Sequence, residues 1–162
     1  MNEMRRQEKQ IPSKNEIIEI LKKTRYITIA MCEKNSPYLV TLTHGYDPKQ
    51  NVIYFHCAKK GKKIDILRKN NLVWGQALID NGYIPGKCDH LYTTTHFSGK
   101  VTFINDRDEK KHALETMIQQ QELVPEQVIK QQITEKSVKN VHIGRIDISY
   151  LSGKKSDKEI ES

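Results

Sequence analysis

The spacing of apolar residues changes period several times along the chain, and the first period is that of a helix. The residues of its apolar stripe are Ile17, Ile18, Ile20 and Leu21. Ser13 and Glu16 have the spacing of a capping box, and Pro12 precedes them. This pattern predicts a first helix that begins at Ser13.

Three segments of alternating polarity, rich in β-branched residues, come next. They cover residues 26–32, 38–43 and 52–58. Turn-forming residues separate them, with Pro37 in the first connection and Pro48 in the second. Connections this short join antiparallel neighbours, because parallel strands need a crossover of about a dozen residues or more. The pattern therefore predicts a three-stranded antiparallel meander.

The rest of the chain alternates between helical and strand patterns. It predicts a helix after Gly61, strands over 72–80 and 92–104, helices that begin at Asp106 and Pro125, and a last strand over 141–151. The apolar positions of the last strand change phase near Gly144, which predicts a β-bulge there. The loop over 81–90 is long and contains glycine and proline, so we expect it to act as a lid or specificity element.

This order of elements favours a mainly β fold. Numerous antiparallel strands are best accommodated by a small closed or nearly closed barrel, because closure removes exposed strand edges and helices can cover the ends. An open α+β sheet is the competing arrangement. We expect a single domain over residues 11–151, a flexible N-terminal arm over 1–10 and a disordered tail over 152–162.

The composition narrows the class of protein. The chain has 162 residues, enough for one core without support from disulfides or a metal. Its three cysteines have no C-x-x-C spacing, which argues against a disulfide scaffold and a zinc ribbon. No apolar run has the length of a signal peptide core or a transmembrane helix. We therefore expect a soluble, cytoplasmic protein that does not bind a membrane.

Much of the net charge of +7 comes from one segment. Six of the eleven residues over 59–69 are Lys or Arg, and one is Asp. Gly61 permits a sharp bend there, and Lys62 and Lys63 fall at the start of a helix, where backbone N–H groups attract anions. A cluster this compact suits a phosphate group better than a long polyanion. The alternative is an ordinary solvated helix face.

Six short segments together carry a family resemblance. They are Met4-Arg5-Arg6, Tyr38-Leu39-Val40-Thr41-Leu42, Tyr54-Phe55-His56-Cys57-Ala58, Gly61-Lys62-Lys63-Ile64-Asp65, Phe97-Ser98-Gly99-Lys100-Val101 and Asp106-Arg107-Asp108-Glu109-Lys110. In order and spacing the chain resembles the pyridoxamine-5′-phosphate-oxidase-like superfamily, and within it the nitroimidazole-resistance type. The resemblance covers nearly the whole folded region and weakens after residue 121.

The resemblance implies an FMN-binding split β-barrel that forms a homodimer, with FMN at the subunit interface. In that family the basic pair after the strand, here Lys62 and Lys63, holds the flavin phosphate. The second strand passes the isoalloxazine ring, which points to Thr41 and Leu42. The remaining candidates beside the cofactor are His56, Cys57 and Ala58 at the end of the third strand. Cys57 stands where the family more often has Ser.

Two candidates have further interpretations. The polar run over 92–96 departs from the alternation of an ideal strand, so we expect it, with Thr95, to face a solvated cleft or the partner's cofactor; the alternative is an ordinary exposed strand end. His56 could contact substrate or cofactor, ligate haem, or be a structural histidine bonded to the backbone. Cys88 and His90 suggest a metal at first, but without regular zinc spacing we assign no metal site. Trp74 and the tyrosines are expected in the core or a dimer interface.

Three functions remain in competition. The first is an FMN-dependent oxidoreductase that reduces a small molecule, for example a nitroaromatic compound; flavin would carry the redox chemistry, so no catalytic residue is assigned. The second is a non-catalytic carrier or sensor that binds flavin or haem. The third is a barrel that binds single-stranded nucleic acid, which the absence of aromatic residues among the lysines over 59–69 disfavours. We expect no nucleic-acid partner.

Overall fold

The computed structural model describes residues 4–156. The strands are β1 (Gln10–Ile11), β2 (Tyr26–Glu33), β3 (Ser36–Thr43), β4 (Gly45–Asp47), β5 (Val52–Cys57), β6 (Leu72–Ile84), β7 (Asp89–Ile104) and β8 (His142–Ser156). The helices are a 3-10 turn (Gln7–Lys9), α1 (Lys14–Lys23), α2 (Lys62–Lys69), α3 (Arg107–Gln121), α4 (Pro125–Gln132) and α5 (Glu135–Asn140). Of these, α5 has no counterpart in the sequence prediction. None of the described helices is long and apolar enough to span a membrane.

Side-chain caps set the helix starts that the sequence predicts. The Ser13 hydroxyl accepts from the Glu16 amide at 3.3 Å at the start of α1. Asp106 accepts from the Glu109 amide at 2.8 Å at the start of α3. The predicted helix at Pro125 is also present as α4.

The strands form one antiparallel sheet in the order β3-β2-β6-β7-β8-β5-β4, with β1 paired to β8. Although β3 and β4 lie at opposite ends of this order, only His44 separates them along the chain. The sheet must therefore curl until its two edges come close together. The fold is mainly β and is a split β-barrel, as the sequence analysis expected.

The predicted three-stranded meander is wrong in its third strand. β2 and β3 pair along their whole length, from Tyr26 with Thr43 to Glu33 with Ser36. β5 instead pairs with β4 and β8. The reason is the corner at His44, where a buried imidazole lies 2.9 Å from the Leu21 carbonyl oxygen and the chain crosses to the other end of the sheet.

Two hydrophobic cores lie on opposite faces of the sheet. The barrel interior contains Ile29, Phe55, Phe97, Val101 and Ile146, among others. The second core, between the outside of β5 and β8 and helix α3, consists of Val52, Tyr54, Ile104, Ala113, Met117 and Ile143. Both faces of β5 and β8 are therefore buried where α3 covers them.

This double burial explains the change of phase in β8, so the predicted bulge at Gly144 is wrong. Gly144 keeps regular register with Phe55 on one side and Phe103 on the other. A side chain at Gly144 would collide with the Phe55 ring. The actual irregularity lies between Ser98 and Gly99, opposite Ser149.

The loop predicted over 81–90 is also wrong, because most of it is strand. β6 continues to Ile84 and β7 begins at Asp89, so the two strands form a long hairpin with a short turn. A register shift between Asp80 and Gly82 interrupts the alternation, and Gly82 has a φ of +96°. That irregularity concealed the strand pattern in the sequence.

Both ends of the described chain join the barrel. β8 continues five residues past the expected boundary at 151, to Ser156, and Gly153 lies beside both Ile11 and Thr95. Gln10 in the expected N-terminal arm pairs with Lys154. Residues 1–3 and 157–162, which complete the expected arm and tail, lie outside the described residues.

Candidate functional site

The candidate site lies at the open seam of the barrel, where β5 runs into α2. The first half of β5 pairs with β4, but within the described chain its second half, Phe55 to Cys57, pairs only with β8. α2 begins a few residues later and closes this end of the barrel by burying Ile64, Ile66 and Leu67. The seam and the start of α2 therefore adjoin each other.

Gly61 shapes the start of α2. Its φ of +131° is one that residues with a Cβ rarely adopt. Gly61 offers no side-chain cap, and its carbonyl oxygen accepts from the amides of Ile64 and Asp65 at 2.8 and 3.1 Å. The first N–H groups of a helix have no partner within the helix. The amides of Lys62 and Lys63 are thus available to an anion.

The side chain of Lys62 contacts β3, and that of Lys63 contacts β5. The Lys62 ammonium is 4.5 Å from the centre of the Tyr38 ring, and the Lys63 ammonium is 5.7 Å from that of Phe55. These contacts keep both lysine stems against the barrel end. No carboxylate within residues 4–156 forms an ion pair with either ammonium. Two cations and two backbone amides therefore lie at the start of α2, where they can receive an anion.

Cys57 lies near Lys63, and His142 lies near Lys59 and Arg68. Cys57 and His142 lie opposite each other on β5 and β8. Burial raises the pKa of the Cys57 thiol, an effect that Lys63 partly offsets, so the thiol is protonated at neutral pH. The His142 ring stacks on Phe103 at 4.6 Å, and its buried Nε2 has no hydrogen-bond partner in the described structure. Burial, together with nearby cations, lowers the pKa of His142, so the imidazole is neutral.

The structure brings only some of the expected site residues together. Cys57, Lys62 and Lys63 share the seam, and Ala58 lies exposed between β5 and α2. His56 is exposed on the opposite face of β5 from Cys57, since neighbouring residues of a strand point to opposite faces.

Three further expected residues lie away from the lysines. Thr41 is on the outer face of β3, with its hydroxyl 3.1 Å from that of Thr28, whereas Leu42 packs into the barrel core. Thr95 is fully buried and donates to the Ile17 carbonyl oxygen at 3.0 Å. The Thr95 hydroxyl is thus already used to hold α1 against β7.

The prediction of the site missed three aromatic residues: Tyr38, Phe55 and His142. Strand alternation was the available signal, because it places Tyr38 on the inward face of β3 with Val40 and Leu42. Alternation could not show that this face of β3 meets α2. His142 could be placed at the site only once β5 was known to pair with β8, and the sequence did not reveal that pairing.

The suspected metal ligands do not form a cluster. Cys88 is an exposed free cysteine, and His90 lies 2.7 Å from Asp80 on the neighbouring strand. Among residues 4–156 no group of three or more His, Cys, Asp or Glu side chains could hold a metal ion.

Known structures share this fold. A protein from Bacteroides thetaiotaomicron, described as a 5-nitroimidazole antibiotic resistance protein, is 24% identical with a TM-score of 0.76; the match covers 90% of this chain and 85% of that one. A flavocytochrome from Azotobacter vinelandii is 14% identical with a TM-score of 0.78, covering 98% and 76%. An FAD- and haem-binding protein from Mycobacterium smegmatis is 15% identical with a TM-score of 0.77, covering 92% and 74%.

The sequence itself matches a family model. No curated protein matches this sequence significantly. The model described as pyridoxamine 5′-phosphate oxidase matches residues 13–155, which include strands β2 to β7, all of β8 but its last residue, and all five α-helices. The chain belongs to the pyridoxamine 5′-phosphate oxidase family.

Proposed function

We propose that this protein is a homodimeric flavoprotein that binds FMN at the seam and reduces a small molecule there. The observation that carries this proposal is the convergence of Lys62, Lys63 and the N-terminal amides of α2 beside an open barrel edge. Family membership and the flavin-binding proteins among the structural neighbours support it.

The residues present fit an FMN phosphate. Two ammonium groups that share no carboxylate in the described chain match a dianion, and the helix N-terminus adds favourable polarity. Lys62 and Lys63 would hold the phosphate, while β3, with Thr41 on its outer face, would lie along the ring. Bound flavin would supply the electron transfer, and the chain's own residues would bind and orient it.

A second copy would cover the outer face of the sheet. A row of side chains crosses this face: Leu39, Ala30, Trp74, Ser98 and Tyr150 on β3, β2, β6, β7 and β8. Leu39 is 63% and Trp74 44% exposed, and the Trp74 and Tyr150 rings are 5.4 Å apart. Contiguous apolar surface of this kind is typical of an interface. Thr41 lies next to this row, which would bring a flavin at β3 close to the partner.

Flavin suits the seam better than haem does. Haem requires an axial ligand with a free lone pair, and His56, the residue expected for that role, faces away from the seam. The lysine cluster, by contrast, supplies positive charge for the flavin phosphate. The visible spectrum of the purified protein distinguishes the two cofactors, because only haem gives a Soret band.

The phosphate assignment is tested by the double variant Lys62→Glu/Lys63→Glu. We expect it to fold but to lose bound FMN, because exposed charges contribute little to stability. A matched control is Lys130→Glu/Lys136→Glu, which makes the same change of charge at two exposed positions on α4 and α5. Flavin content measured after gel filtration should fall only in the first variant. Equal flavin in both variants would contradict the assignment.

Turnover needs a separate experiment. FMN bound to the protein is reduced under anaerobic conditions, nitroimidazoles and quinones are added, and reoxidation is followed by absorbance. We expect at least one of these oxidants to reoxidise the bound flavin faster than it reoxidises free FMN. If none does, the protein is a flavin carrier and the reductase function is wrong.

A further inference from the structure

A second cleft lies on the outside of the barrel, next to the start of β5, whereas the seam lies at the end of that strand. It has a volume of about 460 Å³ and is bordered by α1, the β4–β5 connection and α3. Its lining residues include Tyr46, Asp47, Lys49 and His112. Asp47 and His112, 65 positions apart in sequence, meet here with 2.7 Å between Oδ2 and Nε2.

Asp47 is a buried carboxylate whose oxygens accept several hydrogen bonds. Its side chain is 6% exposed. Its oxygens accept from the Lys49 amide at 2.8 Å, the Gln50 amide at 3.3 Å and the Gln50 side chain at 3.1 Å. Burial alone would raise the pKa of Asp47, but these bonds and His112 together hold it below its usual value. The group is therefore ionised at neutral pH and acts only as an acceptor.

An ionised Asp47 fixes the tautomer of His112. Because the carboxylate has no proton to donate, Nε2 of His112 must be the donor, which leaves Nδ1 as the lone-pair nitrogen of the neutral ring. The Tyr54 ring meets the imidazole edge-on, with centroids 5.9 Å apart. His112 is thus held from two directions, while its side chain remains 47% exposed at the cleft.

The surroundings add positive charge to this oriented imidazole. Lys49 is exposed on the β4–β5 connection, and Lys22 approaches from α1, where it also pairs with Glu19 at 2.9 Å. Asp47 keeps its negative charge, but its oxygens are occupied by His112 and by the donors of Lys49 and Gln50. The cleft is therefore lined by two lysines and by one imidazole nitrogen that can accept a hydrogen bond.

We propose that this cleft is a second binding site, which takes a phosphate group in its hydrogen phosphate or monoester form. Such a group has oxyanions for Lys49 and Lys22, and its monoanion has a hydroxyl proton to donate to Nδ1 of His112. A carboxylate fits less well, because at neutral pH it carries no proton for Nδ1. The second pKa of a phosphate monoester lies near 6, so a minor fraction of a monoester keeps this proton at neutral pH, whereas inorganic phosphate carries a hydroxyl in both of its neutral-pH forms.

The test is an NMR titration of the histidine ring signals with inorganic phosphate. The full chain is used as Lys62→Glu/Lys63→Glu, so that phosphate at the seam cannot contribute, and also as the unmodified protein. We expect a saturable shift of the His112 signal with half-saturation at about 1 mM or below in both proteins, while the exposed His56 signal stays unchanged. A parallel titration with acetate should shift it at least tenfold more weakly.

Two variants distinguish a phosphate-binding site from an Asp47–His112 pair with only a structural role. Lys49→Gln alters an exposed side chain and should weaken phosphate binding about tenfold, with the His112 signal still present as the probe. His112→Gln should abolish the saturable response, measured on the Lys49 and Gln50 amide signals. The proposal is overturned if phosphate gives no saturable shift, if acetate matches phosphate, or if Lys49→Gln binds unchanged. A glycerol phosphate titration distinguishes a monoester from free phosphate as the preferred ligand.

Discussion

At the scale of single residues, His44 couples the barrel corner to pH. It is fully buried, its Nε2 lies 2.9 Å from the Leu21 carbonyl oxygen, and its Nδ1 has no partner in the described structure. Burial lowers the pKa of His44 from 6.5 to about 4. The unfolded chain therefore binds a proton at a higher pH than the folded chain, and folding stability falls as the pH drops from about 6.5 towards 4.

We predict that the free energy of unfolding decreases by about 2 kcal/mol between pH 7.5 and pH 5 because of His44. Urea denaturation followed by circular dichroism at the two pH values measures this. His44→Gln keeps a donor for the Leu21 carbonyl oxygen and should lose much of the dependence. Some will remain, because burial also lowers the pKa values of His96 and His142. A variant with the full dependence of the original protein would refute this role of His44.

At the scale of secondary-structure elements, Thr95 connects helix α1 to the barrel. Its hydroxyl donates from β7 to the Ile17 carbonyl oxygen of α1. β8 supports the same place, since a side chain on Gly153 would meet Ile17 and Ile11 at 2.6 and 3.0 Å. The docking of α1 thus depends on a hydroxyl and on the absence of a side chain.

We predict that Thr95→Val destabilises the protein by about 0.5–1.5 kcal/mol, because it removes the hydrogen bond between β7 and the Ile17 carbonyl oxygen of α1. FMN affinity should remain unchanged, since Thr95 is enclosed by α1. Thermal unfolding and fluorescence titration with FMN measure the two effects. Thr102→Val, at an exposed position on the same strand, is the control and should change neither. A loss of FMN affinity with unchanged stability would restore Thr95 to the cofactor site.

At the scale of the whole molecule, the outer sheet face sets the expected assembly. Besides the apolar row, Tyr26 and Leu78 on the same face have 58% and 52% exposure. The polar residues Thr28, Thr41, Gln76, His96 and Ser152 form a strip between these apolar positions. A face with both kinds of row can bury apolar area against a second copy and still offer hydrogen bonds at its centre.

We predict a dimer of twice the chain mass of 18.9 kDa in sedimentation velocity. Trp74→Glu should give monomers and weaken FMN binding, because a charge would be buried in the interface and the cofactor would lose the partner's contacts. Leu123→Glu, at a position 98% exposed outside this face, should remain dimeric. A monomeric original protein that retains FMN would overturn the proposed assembly.

Local sequence signals were sufficient for much of the fold. Ser13 and Asp106 mark helix starts because a capping side chain acts on amides a few residues away. The segments that became β2, β3 and β5 were visible because alternation reports burial on one face. The basic turn at Gly61 could also be predicted, because its bend, its charges and its helix start lie within a few residues of one another.

Only the tertiary structure decided which distant segments meet. The partners of β5, the regular register at Gly144 and the meeting of Asp47 with His112 all depend on the curl of the sheet at His44. Strand alternation shows which face of a strand is buried, but not which strand lies beside it. Because both faces of β8 are buried near Gly144, its apolar positions change phase as they would at a bulge. The sequence by itself determined the local elements and the location of the lysine cluster. The closure of the barrel determined what surrounds that cluster, because side chains far apart in sequence become neighbours only when the two edges approach each other.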